Sequence, residues 1–404
     1  MTTLTDDESW MARAIGLARR GEGLVEPNPM VGCVLVAPRD ATPKHGTSEV
    51  IGEGWHHAFG SPHAEVEAIR MAKTAGKSTV GATAYVTLEP CCHYGKTPPC
   101  TLAILEAGIR RVVVAMRDPS VQVDGGGIAQ LQENGVEVSV GCLEPETREL
   151  NAPYLTRLEQ CRPFVIAKWA MTLDGKIATH TGSSQWISSE QSRAIVHRLR
   201  ARSDAILVGS NTANRDNPQL TVRLPNIAHR SFSERLAEEK QTSQPCRVPL
   251  RIVLDSAASL SPTSCLATTA QDIPVIVAAS REKLQSQNSA KQNAETLEIR
   301  GCEVLQLSGK NHRERIAELL KILAERNVTN LLVEGGGTLL GLLFDMQLLD
   351  EVHIFIASKL IGGQNAISPV GGVGLEKMAF AAQIVNLTVE KIHGDIYCYG
   401  RIKR

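Results

Sequence analysis

Uninterrupted apolar runs alternate with amphipathic segments over the first 140 residues of the chain. The run at 30–37 (MVGCVLVA) is apolar at every position, which is typical of a strand buried on both faces. Proline at a first helical position and glycine just past a helix end mark the boundaries. We predict strands at 30–37, 82–88 and 111–116, helices at the N-terminus, 62–73 and 98–107, and a last helix and strand reaching residue 140. This alternation predicts a three-layer α/β unit.

A second series of apolar runs follows a charged, proline-punctuated stretch at 141–163, which we predict to be a helical linker. Its predicted strands are 164–171, 205–209, 251–255, 274–279, 303–307, 330–333 and 351–357. A helix is predicted at 188–201, because Ser188 and Gln191 have the spacing of a capping box. Polar stretches at 225–249 and 282–299 are predicted to be surface insertions. With 404 residues, the chain is predicted to hold two α/β domains, 1–146 and 147–404.

The balance of charge and the cysteine content narrow the possible partners and compartments. Lysine plus arginine and aspartate plus glutamate both number 43, so the chain lacks the net positive charge that attracts nucleic acid. No apolar run reaches the roughly 18 residues of a membrane span, and the N-terminal segment lacks the apolar core of a secretory signal. Ten cysteines in such a chain favour reduced thiols. We expect a cytoplasmic protein that binds neither nucleic acid nor membranes.

Two short proline-flanked segments carry the chemistry of the first domain. PHAE at 62–65 contains His63 and Glu65, and the segment from 90 to 100 contains Cys91, Cys92 and Cys100. An imidazole and two thiolates fill three positions of a tetrahedral zinc site and leave the fourth for water. In zinc deaminases a glutamate that is not a ligand carries the protons. We therefore predict zinc on His63, Cys100 and either Cys91 or Cys92, with Cys91 preferred because it directly follows Pro90. An amino group on a heterocycle is the expected target.

The second domain has its own candidate for ligand binding. An apolar strand runs into the glycine turn 335–337 and then into an amphipathic helix. Glycines let backbone N–H groups approach a phosphate, and a helix start favours negative charge. The segment is not the Rossmann fingerprint, because Leu340 replaces its last glycine. Further donors and cations for phosphates and hydroxyls are Arg200, Thr212, Asp216 and Arg223. A tight structural turn and solvated arginines are the alternative interpretation.

Both halves carry short motifs that together resemble one known family. In the first half they are PNPMVG (27–32), GWH (54–56), PHAE (62–65), TLEPC (87–91) and GKTPPC (95–100). In the second half they are Lys168, LDGK (173–176), SQWI (184–187), DNP (216–218) and VEGGG (333–337). In content and order they resemble the bifunctional riboflavin-biosynthesis deaminase/reductase family over nearly the whole chain. The resemblance implies a cytidine-deaminase-like domain followed by a dihydrofolate-reductase-like α/β domain.

The resemblance also implies two reactions and a set of residues for each. The first domain would hydrolyse the exocyclic amine of 2,5-diamino-6-(5-phosphoribosylamino)pyrimidin-4(3H)-one, and the second would use NADPH to reduce the ribosyl group of the product to ribityl. It implies one zinc ion per chain on His63, Cys91 and Cys100, with Glu65 as proton carrier. Contacts to the pyrimidine and its phosphoribosyl group would be Asn28, His56 and Lys96. Contacts to NADPH would be Ala170, Trp186, Thr212, Asp216, Ser256, Gly336, Gly337, Thr338, Leu339, Leu340, Gly341 and Leu342. Substrate contacts in the second domain would be Lys168, Ser184, Arg200, Leu220, Arg223 and Glu334.

Several points stay open at this level. Ser120 stands where the family commonly has asparagine, which puts a substrate contact in doubt, and Cys92 stands where serine is common. The proton donor of the reduction can be Lys168, Asp216 or water. Homo-oligomers, dimers or tetramers, are expected. The main alternative is a nucleotide or nucleic-acid-base deaminase with a non-reducing C-terminal binding module. A zinc-stabilised scaffold is disfavoured, since it would use four protein ligands and leave Glu65 without a task.

Overall fold

A computed structural model describes residues 5–38, 49–95, 98–223 and 248–403. The chain divides into two compact units, Met1–Gln160 and Cys161–Arg404. Lys96 and most of the predicted insertion at 225–249 lie outside the described residues. None of the described helices combines the length and apolar composition that crossing a membrane requires.

The first unit is built on one five-stranded sheet in the order β2-β1-β3-β4-β5, in which β2, β1 and β3 pair antiparallel and β3, β4 and β5 pair parallel. The strands are β1 Gly32–Val36, β2 Val50–Trp55, β3 Thr83–Val86, β4 Arg111–Val114 and β5 Glu137–Val140. The helices are α1 Asp6–Ala18, α2 Ala64–Thr74, α3 Cys100–Glu106, α4 Gly126–Glu133, α5 Glu144–Leu150 and α6 Ala152–Gln160.

Both faces of this sheet are covered by helices. Along β1, Cys33 and Leu35 pack into a core with residues of α2, α3 and α4, while Val34 and Val36 pack into a second core with residues of α1. Successive side chains of a strand point to opposite faces, so an uninterrupted apolar run can serve two cores at once. The predicted three-layer α/β unit is confirmed.

The predicted linker at 141–163 forms helices that pack on the first unit. Leu150 belongs to the core around α1, and Tyr154 and Leu155 pack with residues that follow the central strands. Asn151 accepts a hydrogen bond from the Met30 backbone N–H (2.8 Å) and donates one to the Met30 carbonyl oxygen (3.0 Å). These contacts explain why the chain divides after Gln160, later than the predicted boundary at 146/147.

The second unit is built on one nine-stranded sheet in the order β10-β9-β8-β7-β11-β6-β12-β14-β13. The strands are β6 Phe164–Thr172, β7 Ala205–Gly209, β8 Leu250–Leu254, β9 Val275–Ser280, β10 Glu303–Leu307, β11 Asn330–Val333, β12 Glu351–Ala357, β13 Ile384–Ile392 and β14 Asp395–Ile402. The helices are α7 Glu190–Ala201, α8 Ser210–Asp216, α9 Cys265–Thr268, α10 Arg281–Ser286, α11 Asn288–Ile299, α12 His312–Glu325 and α13 Gly337–Asp345.

This sheet is parallel from β10 to β12, and β14 and β13 extend it as an antiparallel pair. Its core gathers buried side chains of the parallel strands with those of α12 and α13. In open parallel sheets, ligands bind at the carboxyl ends of the strands. The ends of β6, β7 and β11, three neighbouring strands, therefore locate the candidate site of this unit.

Three predictions of local structure were wrong. The cap of α7 is Ser189, whose hydroxyl accepts from the Ser192 N–H (3.3 Å), not Ser188. The stretch 282–299 is no insertion but falls within α10 and α11, with Ala290, Ala294 and Leu297 facing the core. The strands β13 and β14 were missed altogether, because β13 is mostly exposed and its polar and apolar residues do not alternate cleanly.

Candidate functional sites

Three ligand atoms meet at one edge of the first unit's sheet. His63 caps α2, Cys100 begins α3, and Cys91 lies in the loop after β3. The Nδ1 atom of His63 lies 3.2 Å from the Cys100 sulfur and 3.5 Å from the Cys91 sulfur. Zinc bonded to sulfur at about 2.3 Å and to nitrogen at about 2.05 Å in a tetrahedron would separate these atoms by about 3.6 Å. The three side chains therefore fit one zinc ion, with His63 binding through Nδ1.

The alternative ligand Cys92 is directed elsewhere. Among the described residues, the candidate metal group comprises only His63, Cys91 and Cys100. The sulfur of Cys92 lies 3.0 Å from where a Cβ on Gly126 would stand, so it packs against the start of α4. Hydrogen bonds from the Cys100 thiol, His63 and the Cys100 backbone N–H lower the pKa of Cys91 and so favour its thiolate. The structure thus brings Cys91, not Cys92, to the other two donors.

Glu65 lies in the first turn of α2, beside these donors. It is 4% exposed, and its Oε2 atom has no hydrogen-bond partner among the described residues. Burial raises the pKa of Glu65 to about 7, close to the value that suits a group exchanging protons at neutral pH. A carboxyl group of this kind fits the predicted role of a proton carrier that is not itself a ligand.

Asn28 and His56 form a hydrogen-bonded pair next to the metal ligands. The Nδ1 atom of His56 lies 3.2 Å from the Pro62 carbonyl oxygen, and the Nε2 atom lies 3.2 Å from the Asn28 amide nitrogen. Since burial lowers the pKa of His56 to about 4, the ring is neutral, with Nδ1 donating and Nε2 accepting. Its centroid is 5.3 Å from that of His63, edge to face.

Two residues of this region were not selected from the sequence. The carboxylate of Glu89, just before Pro90, accepts backbone N–H groups of Asp118 (3.4 Å), Gly125 (3.2 Å) and Ile128 (3.1 Å). It thereby ties the loop ahead of Cys91 to the start of α4. His93 has a buried Nδ1 atom without a hydrogen-bond partner in the described part of the chain. The sequence could have suggested His93, because it places an imidazole two residues after the candidate metal ligand Cys91.

The second unit contains a cleft of about 650 Å³ at the carboxyl ends of its central strands. The predicted site residues that line it are Lys168, Ala170, Ser184, Trp186, Arg200, Thr212, Asp216, Leu220, Arg223, Glu334, Gly336, Gly337 and Thr338. Those outside its lining are Ser256, Leu339, Leu340, Gly341 and Leu342. Leu339 and Leu340 are buried in the core instead, and a Cβ on Gly341 would overlap the backbone at Gly371. The first residues of α13 line the cleft, whereas the following turn of the helix packs into the core and so lies outside the lining.

A buried group of charges forms part of the cleft wall. Arg200 binds the carboxylate of Glu334 through two hydrogen bonds, from Nε to Oε1 (2.6 Å) and from an Nη to Oε2 (2.9 Å). Burial raises the pKa of Glu334, but Arg200 and Lys168 outweigh it and hold that pKa below its usual value. Burial lowers the pKa of Lys168, and Glu334 partly offsets this effect. The three groups place a fixed anion between two cations.

The glycine turn is joined to α8, another part of the same cleft wall. Gly336 donates its backbone N–H to the hydroxyl of Thr212 (3.1 Å). A cleft of this volume, with a glycine-led helix start and the lining guanidinium groups of Arg193, Arg215 and Arg223, fits a phosphate-bearing ligand of cofactor size.

Trp186 and Asp216 face this space from two loops. Trp186 is 65% exposed, with the Arg193 guanidinium 4.7 Å from its ring centroid. Lys359 donates to the Trp186 carbonyl oxygen (2.7 Å). Ser184 donates to Asp216 (3.4 Å), whose pKa is raised by burial. The exposed indole presents a flat apolar surface on which a planar ring can stack.

Comparison with known families divides the chain in the same way as its two sites. Residues 4–116 match the cytidine and deoxycytidylate deaminase zinc-binding region, and residues 163–396 match the RibD C-terminal domain. The riboflavin biosynthesis protein RibD of Aquifex aeolicus is 39% identical over 393 residues, which cover 97% of this chain and 98% of that protein. RibD of Escherichia coli is 39% identical over 393 residues, with 96% and 98% covered.

Solved structures extend the similarity to the whole fold. Acinetobacter baumannii RibD is 33% identical, with a TM-score of 0.76 and with 98% of this chain and 99% of that chain covered. A deaminase/reductase from Thermotoga maritima is 34% identical, with a TM-score of 0.75 and the same coverage. That protein is a diaminohydroxyphosphoribosylaminopyrimidine deaminase/5-amino-6-(5-phosphoribosylamino)uracil reductase. The predicted family and the predicted fold of both domains are confirmed.

Substitution of single cysteines tests the metal ligands. We expect Cys100→Ser to lower bound zinc well below one ion per chain, because a neutral hydroxyl replaces a thiolate in a site with only three protein donors. Cys92→Ser is the matched control and should keep full occupancy, since its sulfur packs against α4. Elemental analysis of the purified variants measures both. Full zinc in Cys100→Ser, or its loss in Cys92→Ser, would show that the ligand set is wrong.

Proposed function

This chain belongs to the RibD family of bifunctional riboflavin-biosynthesis deaminase/reductases, and we propose how its own residues carry out the two reactions. The N-terminal unit is a zinc-binding deaminase domain and the C-terminal unit an NADPH-dependent reductase domain. The proposed substrate of the first unit is 2,5-diamino-6-(5-phosphoribosylamino)pyrimidin-4(3H)-one. Its product, 5-amino-6-(5-phosphoribosylamino)uracil, is the proposed substrate of the second.

In the first unit, His63, Cys91 and Cys100 hold the zinc ion, and Glu65 moves the protons. The ion supplies a Lewis acid that lets water ionise near neutral pH. The unpartnered Oε2 atom of Glu65 accepts a proton from the attacking water, passes it to the ring nitrogen, and delivers a proton to the departing ammonia. One carboxylate serves each transfer because every step changes its protonation state. The observation that supports this role best is the burial of Glu65 beside the three donors.

The same unit orients the pyrimidine through Asn28 and His56. Because His56 is neutral and its Nδ1–H is engaged by Pro62, the Asn28 amide is held at a defined orientation. The free lone pairs and protons of this amide can bind the polar edge of the ring. Lys96, which lies outside the described residues, is proposed to bind the phosphoribosyl group.

The replacement Glu65→Gln tests the proton carrier. We expect ammonia release to fall by about 10²–10⁴-fold, because an amide keeps the shape of the side chain but cannot accept and return a proton. Zinc content and NADPH oxidation with the deaminated substrate should stay at the wild-type level. The matched control is Glu67→Gln on the same helix, where Glu67 is paired with Arg70 rather than placed beside the donors. Ammonia release near the wild-type rate in Glu65→Gln would refute the role.

In the second unit, the cleft lined by the glycine turn and Trp186 binds NADPH, which supplies a hydride for C1′ of the ribosyl group. The backbone at Gly336 and Gly337 is proposed to contact the pyrophosphate, and Trp186 the nicotinamide. Thr212 is already joined to Gly336, so the glycine turn and α8 are held relative to each other before the cofactor binds. Arg200, Glu334 and Arg223 are proposed to hold the substrate.

We propose Lys168 as the proton donor of the reduction. As the hydride reaches C1′, the bond from C1′ to the ring oxygen breaks and this oxygen takes a proton. Lys168 lines the cleft, and its side chain is held near the carboxylate of Glu334, whose charge favours the protonated ammonium and partly offsets the effect of burial. Asp216 also lines the cleft, but its carboxylate accepts a hydrogen bond from Ser184, a contact that favours the ionised form.

The replacement Lys168→Met tests this donor. We expect the kcat of reduction to fall by about 10²–10⁴-fold with ammonia release unchanged, and the exposed Lys310→Met should leave both intact. In the wild type, the donor is active while protonated, so kcat should fall as pH rises through the Lys168 pKa. Because burial lowers that pKa, the fall should begin below the pH expected of a free lysine. A kcat near the wild-type value in Lys168→Met would exclude the role.

We also propose that the chain forms a homo-oligomer through the β13–β14 edge of the second unit. The edge strand β13 exposes Leu387 (54%) and Val389 (59%), and the turn before it exposes Met378 (88%) and Phe380 (64%). Natural proteins seldom leave an apolar edge strand open to solvent. A second copy of the chain can cover it with the same surface, as closed symmetric assemblies do.

The double replacement Leu387→Lys/Val389→Lys tests this surface. We expect the molar mass in solution, measured by light scattering, to drop to that of one chain, because charges would be buried without partners. The control Ile299→Lys also replaces an exposed apolar residue of the second unit but lies on α11. A wild-type mass of a single chain, or an unchanged mass in the double variant, would refute the proposal.

A cytoplasmic location is proposed from the cysteines. All cysteines in the described part of the chain are free thiols, which persist in reducing compartments. Fractionation of the source cells tests this location. Finding the protein outside the cytoplasmic fraction would contradict the proposal.

A further inference from the structure

The central strand β8 carries an arginine that no part of the proposed reaction uses. Arg251 is 0% exposed and pairs through its backbone with the neighbouring strands β7 and β9. A guanidinium group taken out of water is costly unless its donors are satisfied. No ion pair joins Arg251 to a carboxylate within the described ranges, so its partners must be neutral acceptors.

Those acceptors come from two chain segments above the strand. One Nη atom of Arg251 donates to the Gln219 carbonyl oxygen (3.2 Å) and to the Thr269 hydroxyl (2.8 Å). The other Nη atom donates to the carbonyl oxygens of Thr269 (3.0 Å) and Ile273. Arginine spreads its N–H donors over the nitrogens of a planar fork and so reaches acceptors on separate segments, whereas the donors of lysine all lie on one nitrogen. Arg251 therefore ties the segment after α9 to the loop that contains Gln219.

That loop, residues 217–223, belongs to the wall of the reductase cleft. Leu220 in it has a left-handed backbone (φ 52°), a conformation that a non-glycine residue keeps only where its surroundings enforce it. The backbone of Gln219 is held by Arg251, while its side chain accepts a hydrogen bond from the Arg223 guanidinium (2.8 Å). Arg251 is thus linked through one residue to Arg223, a proposed substrate contact.

We propose that Arg251 is a positioning residue that sets the place of Leu220 and Arg223 in the reductase cleft through its hydrogen bond to Gln219. This inference rests on the proposed reductase function. Since the glycine turn and Thr212 belong to other parts of the wall, the loop governs the substrate more than NADPH. A variant without the guanidinium should therefore change the KM for the substrate selectively.

The variants are Arg251→Met and Arg251→Lys, measured by NADPH oxidation with the deaminated substrate. We expect Arg251→Met to raise the KM for that substrate at least tenfold, with the KM for NADPH within twofold of the wild type. Arg251→Lys keeps the charge and one donor group, so it should recover part of the loss. Ammonia release by the first unit should not change.

The matched control is Arg315→Met. Arg315 is also buried in the second unit (5% exposed) and donates to the Gly309 carbonyl oxygen (2.9 Å), but it does not line the cleft. Its loss should lower the melting temperature without changing either KM. If Arg251→Met behaved the same way, or raised both KM values equally, a merely structural role would be established and the proposal overturned.

Two further measurements keep the test decisive. If Arg251→Met fails to fold, Arg251→Lys and Gln219→Leu take its place, and an unchanged KM for the substrate in both would overturn the proposal. If the wild type oxidises no NADPH with this substrate, the proposed function itself fails. Amide hydrogen exchange then tests the tether alone: Arg251→Lys should speed exchange in 217–223 relative to Arg315→Met, and equal exchange would refute it.

Discussion

Close contact between backbone segments at glycines determines where the metal donors of the first unit lie. A Cβ on Gly54 of β2 would overlap the carbonyl oxygen of Ala64, so only glycine lets α2 approach the sheet this closely. Ala64 follows His63 directly, and the depth of this contact therefore sets the position of the imidazole. A Cβ on Gly127 of α4 would likewise overlap the Pro90 carbonyl oxygen, one residue before Cys91. Two donors are thus placed by steric fit before any ion binds.

The second unit fixes its site with charges as well as with close backbone contact at Gly337 and Gly341. Arg200 binds both carboxylate oxygens of Glu334 and also donates to the Thr221 carbonyl oxygen (3.0 Å). One guanidinium group therefore joins α7, the end of β11 and the loop after α8. Breaking such a buried pair by removing one partner leaves an uncompensated charge. The positions of these three segments of the cleft wall therefore depend on this ion pair.

The strands buried on both faces and the metal motif could be predicted from the sequence, because each is a local pattern. The run at 30–37 serves two cores, and His63 and Cys100 stand where helices begin. What the sequence did not reveal depends on contacts between distant segments. The choice between Cys91 and Cys92 required the position of α4. The packing of 144–160 on the first unit depends on Asn151 meeting Met30. Strand β13 is mostly exposed and β14 is only partly buried, so no regular alternation of polar and apolar residues marks them.

Each unit buries a glutamate, but the pKa of the two carboxyl groups changes in opposite directions. Glu65 and Glu334 are both withdrawn from water, and withdrawal alone favours the neutral acid. For Glu65 the described neighbours do not outweigh burial, and its pKa rises to about 7. For Glu334, Arg200 and Lys168 reverse the effect and keep the carboxylate ionised. A group near its midpoint can gain and lose protons, whereas a permanently ionised one can only hold its partners in place. The neighbours of each carboxylate, rather than its burial, therefore decide which one moves protons and which one organises a binding site.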